Sequence, residues 1–322
     1  MTLDRPRLAF LRPFGERDQA DLRAHLGAEW ALVEPAGYDE DSLAKAIGDV
    51  DAVLTASMSE ALLARAPRLR FIQTPGAGID GLDTAAIRRA GIVVANSHSN
   101  APCVAEHTIA MVLDLIRKLS LNDRRMRLGS SAFDRGTTLT DSTVAILGLG
   151  HIGAELVKLL APFCARLIGV AQRPERHSAL QASFPALGQA PLDEALAVAD
   201  VVIVALPLTP ATFGILSARA LAKLKPGATL VSISRAEIID KVALLESLRS
   251  GSLGGVGLDV WWSKDPVADA ATFREFDNVL LSPHLAGVHR DFTTHLAGVV
   301  ANLLAFARGE PIPNLVDLDR GY

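Results

Sequence analysis

The chain has 322 residues, 49% of them hydrophobic and 21% charged, with a formal net charge of −4. That length accommodates two domains of ordinary size, and the balance excludes a disordered polymer, a polybasic nucleic-acid binder and a protein held by charge to an anionic membrane. No apolar stretch reaches the roughly 18–20 residues that span a bilayer. The opening Met-Thr-Leu-Asp-Arg-Pro-Arg lacks the apolar core of a secretory leader. The two cysteines, Cys103 and Cys164, show no metal-ligand spacing and no histidine cluster, so free thiols in a reducing cytoplasm and no metal are expected.

Strand and helix patterns alternate from the start. Strands are predicted at 7–11, 52–55, 71–74 and 93–95, with helices at 18–26 and 60–66. A long helical pattern runs from Pro102 toward Leu119, followed by an arginine-rich polar segment over 122–136. Further apolar strands follow at 143–147, 167–170, 201–205, 229–233, 257–260 and 279–281, with a helix at 154–160 after the first of them. A last helix at 293–307 stops at Gly309, with Pro311 beyond. Such alternation predicts mostly parallel sheets with helices on both faces. A cofactor domain is expected over 99–288, inserted into a second domain made of 1–98 and 289–322.

Residues 144–153, Val-Ala-Ile-Leu-Gly-Leu-Gly-His-Ile-Gly, end a buried-strand pattern in three glycines at dinucleotide-binding spacing. Each glycine has a physical task. Gly148 permits the tight turn, Gly150 lets the backbone approach a pyrophosphate, and Gly153 lets helix and strand pack closely. Phosphates would sit on the leading N–H groups at the positive end of the helix dipole. The same glycines without a ligand would be an ordinary strand–turn–helix.

Other stretches carry polar chemistry to strand ends. Thr74-Pro-Gly-Ala-Gly-Ile-Asp80 is a glycine-rich strand exit whose N–H groups can receive a carboxylate, or a plain turn. Arg235 follows a buried strand, where a guanidinium can clamp a carboxylate or carbonyl in bidentate fashion. His284, in Ser282-Pro-His284, ends a strand where open α/β sheets place ligands. Paired with a carboxylate it can work as acid and base. Alone, Arg235 reads as a salt-bridged surface residue and His284 as a solvated one.

In this order, the Gly76-Ala-Gly78 loop, Val104-Ala-Glu-His107, Gly148-Leu-Gly-His-Ile-Gly153, Ala205-Leu-Pro-Leu-Thr-Pro210, Ser234-Arg235, Leu258-Asp-Val260 and Ser282-Pro-His-Leu-Ala-Gly287 resemble the D-isomer-specific 2-hydroxyacid dehydrogenase family over nearly the whole chain. The resemblance implies an α/β fold of two doubly wound parallel-sheet domains, a Rossmann dinucleotide-binding domain inserted into a flavodoxin-like substrate domain. It implies hydride transfer between NAD(P)H and a small 2-oxo acid, such as glyoxylate or hydroxypyruvate, with His284 as acid/base, Asp265 holding it, and Arg235 orienting the acid. Ala77 and Gly78 would bind the substrate carboxylate, with Asn100 nearby. Val104, His151, Ile152, Gln172, Arg173, Leu206, Pro207, Thr212, Ile233, Ser234 and Asp259 would join the three glycines around the cofactor. The resemblance also implies a homodimer through 111–136. An alternative in another class is a dinucleotide-sensing protein like the related corepressors, with little catalysis.

Departures from the family pattern matter. Asp265 stands where relatives carry Glu, one methylene longer, and Ala236 where they carry Gly. Where NAD-preferring relatives place an acid, this chain has Ala171 or Gln172, followed by Arg173 and Arg176. Without that carboxylate, repulsion of a 2′-phosphate disappears and the arginines supply attraction, which favours NADP over NAD. Trp261 and Trp262 either narrow the substrate pocket or pack the core.

Overall fold

The computed structural model describes residues 5–288 and 293–319. The chain divides into two compact units, residues 1–100 with 289–322, and residues 101–288. The first four residues of the opening segment, and residues 289–292 and 320–322 of the expected second part of the substrate domain, lie outside the described residues.

The first unit contains β1 (Arg7–Phe10), β2 (Ala31–Val33), β3 (Ala52–Leu54), β4 (Ser57–Met58), β5 (Phe71–Gln73), β6 (Gly81–Leu82) and β7 (Val93–Ala95). Five of them make a sheet in the order β2-β1-β3-β5-β7, with all pairs parallel, and β4 pairs with β6. Alternation along β1 feeds two cores. Leu8 and Phe10 join Leu22 and Leu26 of helix Glu16–Leu26 and Val299 and Leu303 of the terminal helix Thr293–Arg308. Ala9 and Leu11 join Ile47 and Ile87 on the opposite face. The terminal helix is anchored by Phe306, whose ring stacks on Trp30 and Phe71 with centroids 5.9 and 4.7 Å away. It stops at Gly309, whose φ of +67° suits a residue without a β-carbon.

The second unit carries β8 (Thr143–Leu147), β9 (Arg166–Val170), β10 (Leu187–Gln189), β11 (Val201–Val204), β12 (Ala228–Ser232), β13 (Leu253–Leu258) and β14 (Val279–Leu281). They form one seven-stranded sheet in the order β10-β9-β8-β11-β12-β13-β14. Every neighbouring pair is parallel. The direction of winding reverses between β8 and β11, the switch point at which open α/β sheets bind ligands. Ala145 and Leu147 pack into one core, Val144 and Ile146 into the other, so β8 is buried on both faces as a central parallel strand must be. The fold class is the one expected.

Among the predicted elements of this unit, two depart most from expectation. The single helix predicted from Pro102 breaks at Lys118, which takes a left-handed φ of +56°, giving helices Ala101–Arg117 and Leu119–Arg127. β13 begins at Leu253 rather than Gly257, because Gly254, Gly255 and Gly257 mask its strand propensity. Those glycines serve packing. A β-carbon on Gly257 would lie 3.1 Å from both Leu115 and Met111 of helix Ala101–Arg117.

Candidate active site

In the second unit the glycine-rich turn, Arg235, Asp259 and His284 all follow the carboxyl ends of parallel strands and so share one rim of the sheet. The turn after β8 is built as its glycines require. Gly148 has φ +101°, and a β-carbon there would stand 2.7 Å from the Ala205 carbonyl oxygen. A β-carbon on Gly153 would sit 2.1 Å from the Gly148 oxygen, whereas one on Gly150 would meet nothing within 4 Å. The middle glycine therefore faces open space while the outer two seat the chain. Helix His151–Leu160 follows with Gly150 as its N-cap and no side chain capping it, leaving its positive end to an anion. Partial desolvation holds the His151 imidazole below its ordinary pKa, which disfavours a cation at the positive end of the dipole.

The other expected cofactor residues lie on neighbouring strand exits. Gln172 and Arg173 follow β9, and no carboxylate stands at that strand's end. Leu206 and Pro207 follow β11. The Thr212 hydroxyl is spent within that loop, donating to the Pro207 oxygen at 2.6 Å and accepting from the Thr209 N–H at 2.8 Å. Ile233 and Ser234 follow β12, where the Ser234 hydroxyl donates to the Leu206 oxygen and ties the two exits together. Val104 is 5% exposed and packs in the core under the sheet.

Arg235 follows, its Nη1 donating to the Ser234 oxygen at 2.8 Å. Ala236, which replaces the family's glycine, is buried in the short helix Ala236–Ile238, so its methyl group is accommodated. Asp259 is 3% exposed and surrounded by donors. Its Oδ1 accepts from the Ser282 hydroxyl at 2.5 Å and the Leu285 N–H at 2.8 Å, and its Oδ2 from the Ala286 N–H at 2.9 Å. His284 lies inside the clamped segment with φ +60° and an exposed side chain. The Trp261 indole fixes the same loop by donating to the Ser282 oxygen at 3.1 Å. Trp262 donates to the Ile239 oxygen and stacks on Phe273, so both tryptophans act as anchors.

One expected pairing is not formed. Asp265 is the N-cap of helix Pro266–Ala271, and its Oδ1 accepts from the N–H groups of Val267 and Ala268 at 3.0 and 3.1 Å. Among the described residues no hydrogen bond or ion pair joins it to His284. The reason is chain position, since the acid immediately before Pro266 falls at the N-cap and its short side chain reaches the first free N–H groups. Two participants were not anticipated as site residues: Ser282, and His107, whose Nε2 lies 3.2 Å from the Ser282 hydroxyl.

In the first unit, Ala77 and Gly78 follow β5. The Gly76 oxygen accepts from the Thr74 hydroxyl at 2.7 Å and the Ser97 N–H at 3.2 Å, and the Ala77 oxygen from the Asn96 amide at 3.1 Å. A trans peptide sets its N–H opposite its carbonyl, so the N–H groups of Ala77 and Gly78 are turned away from these anchors. Beneath them Asn302, fully buried, donates to the Gln73 side chain at 3.0 Å and the Asn96 oxygen at 2.8 Å. Asn100 is half-buried and immediately precedes helix Ala101–Arg117.

Comparison with known proteins agrees with this architecture. A family model described as D-isomer specific 2-hydroxyacid dehydrogenase, NAD binding domain, matches residues 109–286. The D-3-phosphoglycerate dehydrogenase of Mycobacterium leprae is 33% identical over 293 residues, 88% of this chain and 54% of that one. The glyoxylate reductase of Pyrococcus furiosus is 31% identical over 295 residues, 86% of this chain and 85% of that one. Among solved structures, the 2-hydroxyacid dehydrogenase of Ketogulonicigenium vulgare Y25 is 26% identical, covers 98% of this chain and 99% of its own, and superposes with a TM-score of 0.80. The chain spans about half the length of the phosphoglycerate dehydrogenases it matches. The glycine turn at the switch point and the matched dinucleotide-binding domain lead to one assignment: this chain belongs to the D-isomer specific 2-hydroxyacid dehydrogenase family.

Proposed function

We propose that the protein is a nicotinamide-dependent oxidoreductase that interconverts a small 2-oxo acid and its D-2-hydroxy acid, with glyoxylate and hydroxypyruvate as first candidates. The observation that carries this reading is the clamped loop on the strand rim, which presents an exposed His284 on the same rim as Arg235 and the open Gly150 turn. A bound nicotinamide supplies the hydride for reduction and takes it back in oxidation. His284 gives a proton to the carbonyl oxygen as reduction proceeds and removes it in reverse. Arg235 orients the acid and polarises its carbonyl, and the Ala77 and Gly78 N–H groups bind its carboxylate, near Asn100. Asp265 is assigned as a negative charge on the loop after the neighbouring strand, at the N-cap of helix Pro266–Ala271. Its Oδ2 makes no hydrogen bond among the described residues.

The leading N–H groups of helix His151–Leu160 would hold the pyrophosphate, with Ile152, Leu206, Pro207, Ile233 and Ser234 around the rest of the dinucleotide. Val104 is assigned to the shape of that site from within the core. We assign NADP as the preferred cofactor, supported by the lack of an acid after β9 and by Arg173 there. The proposal also makes the protein a cytoplasmic homodimer. Cys103 and Cys164 are both free thiols, and Leu119, Met126, Leu128 and Phe133 are exposed along the segment expected to pair.

The test is oxidation of NADPH and NADH, followed separately by absorbance, with glyoxylate, hydroxypyruvate, pyruvate and bulkier 2-oxo acids. Turnover of the small acids that falls by about 100-fold or more in His284→Asn, with cofactor binding retained, is expected. Arg173→Ala should weaken NADPH about tenfold, as loss of one charge-assisted hydrogen bond does, and leave NADH nearly unchanged. Tight cofactor binding with no turnover of any acid would instead favour the dinucleotide-sensing class.

A further inference from the structure

We infer that His107 is a positioning residue for the reaction proposed above: through Ser282 it locks the Asp259 clamp that holds His284 in its left-handed conformation. The inference rests on that functional reading for its consequence and on four contacts for its geometry. The Ser282 hydroxyl is 2.5 Å from Asp259 Oδ1 and 3.2 Å from His107 Nε2. A hydroxyl has one proton. All three partners of the Asp259 carboxylate are donors, two of them backbone N–H groups, so the Ser282 proton goes to Asp259. Toward His107, Ser282 is therefore left as an acceptor, and Nε2 carries the proton in this contact. The direction of donation is fixed as His107 to Ser282 to Asp259.

Fixing it has a mechanical result. Ser282 is 7% exposed, so a hydroxyl without the His107 donor would keep a buried lone pair unsatisfied and would be free to rotate away from Asp259. Asp259 also receives the N–H groups of Leu285 and Ala286, the two residues after His284. These bonds hold His284 at φ +60°, a conformation that residues with a β-carbon adopt uncommonly and at a cost. His107 sits in helix Ala101–Arg117, which is packed into the core of the same unit, so it ties the loop end of the relay to a core helix.

The experiment compares His107→Leu, His107→Gln, Ser282→Ala and the double variant H107L/S282A in the full-length protein. Steady-state kcat and KM are measured, with amide deuterium exchange over 282–288 in the ligand-free state. In H107L, kcat should fall about tenfold, the loss of one oriented hydrogen bond, while KM for acid and cofactor stays within about twofold. H107Q, whose amide nitrogen takes the place of Nε2, should recover most of kcat. The double variant should be no worse than S282A, because both changes cut the same relay. Exchange over 282–288 should quicken in H107L and return to normal in H107Q. If H107L does not fold, His107→Asn, too short to reach Ser282, takes its place. Unchanged kcat and exchange in H107L, or losses that multiply in the double variant, would overturn the inference. If the wild-type protein turns over no 2-oxo acid, the functional reading fails, and the exchange comparison still decides the relay.

Discussion

His284 illustrates how one residue's conformation is maintained by others far away in sequence. A left-handed φ costs a residue with a β-carbon about 1–2 kcal/mol. Asp259 offsets that cost with three hydrogen bonds to the loop, from Ser282, Leu285 and Ala286. Asp259→Asn keeps the shape but turns an amide N–H toward groups that are themselves donors. It should therefore lower unfolding stability by about 2–3 kcal/mol, as buried unsatisfied donors do. A denaturant titration measures that loss, and kcat should fall with it as the histidine loop relaxes. An unchanged denaturation midpoint would remove Asp259 from its clamping role. Arg235 and His284 were legible as strand-end residues of the right chemistry. Ser282 and His107 were not, since a hydroxyl and an imidazole 175 positions apart carry no spacing signal.

The glycine turn shows the opposite case, in which local sequence determines local geometry. Three glycines between a buried strand and an amphipathic helix leave one backbone solution, and Gly148 and Gly153 adopt it against backbone atoms that cannot retreat. Gly153→Ala places its methyl group against the Gly148 oxygen and should cost about 1–3 kcal/mol of stability, the range for overpacking. NADPH titration by fluorescence should show weakened binding, because the turn itself must shift. A second element, the corner before helix Pro266–Ala271, is held by charge. Asp269 is buried and bonded to Lys241 at 2.6 Å and to the Ser263 N–H at 2.6 Å. Desolvation raises its pKa, but the bonds to Lys241 and Ser263 outweigh it, and the folded value lies below the ordinary carboxylate one. The stability it contributes is complete above the unfolded pKa and is lost as pH falls through the folded pKa. Urea midpoints measured from neutral to acid pH should thus drop less steeply in Asp269→Asn, from a lower neutral starting value.

At the scale of the whole molecule, the segment over 119–133 leaves Leu128 and Phe133 85% and 68% exposed, with Leu119 and Met126 exposed on the same segment. A second copy of this chain is the proposed cover. Leu128→Asp should shift the protein toward monomer in sedimentation equilibrium, raising the dissociation constant at least about tenfold through one buried charge. A monomeric wild-type protein would sink that part of the proposal. Among the described residues no helix is long and apolar enough to cross a membrane.

Taken alone, the amino-acid sequence determined the alternation of strands and helices, the fully buried parallel strands and the glycine turn. Each of these is written in contiguous residues, as periodicity, apolar runs or fixed spacing. The order of strands around the switch point and β13 with its glycines were decided by packing, the latter where helix Ala101–Arg117 meets the sheet at Gly255 and Gly257, and the break at Lys118 is seen only in the structure. The fate of Asp265, by contrast, is local: the nearest unsatisfied N–H groups of its own helix take its side chain. The hydrogen bonds that orient His284 belong to the tertiary structure alone. They join residues from a helix, a strand end and a loop, and a hydrogen bond depends on where folding brings its two atoms rather than on any pattern between them.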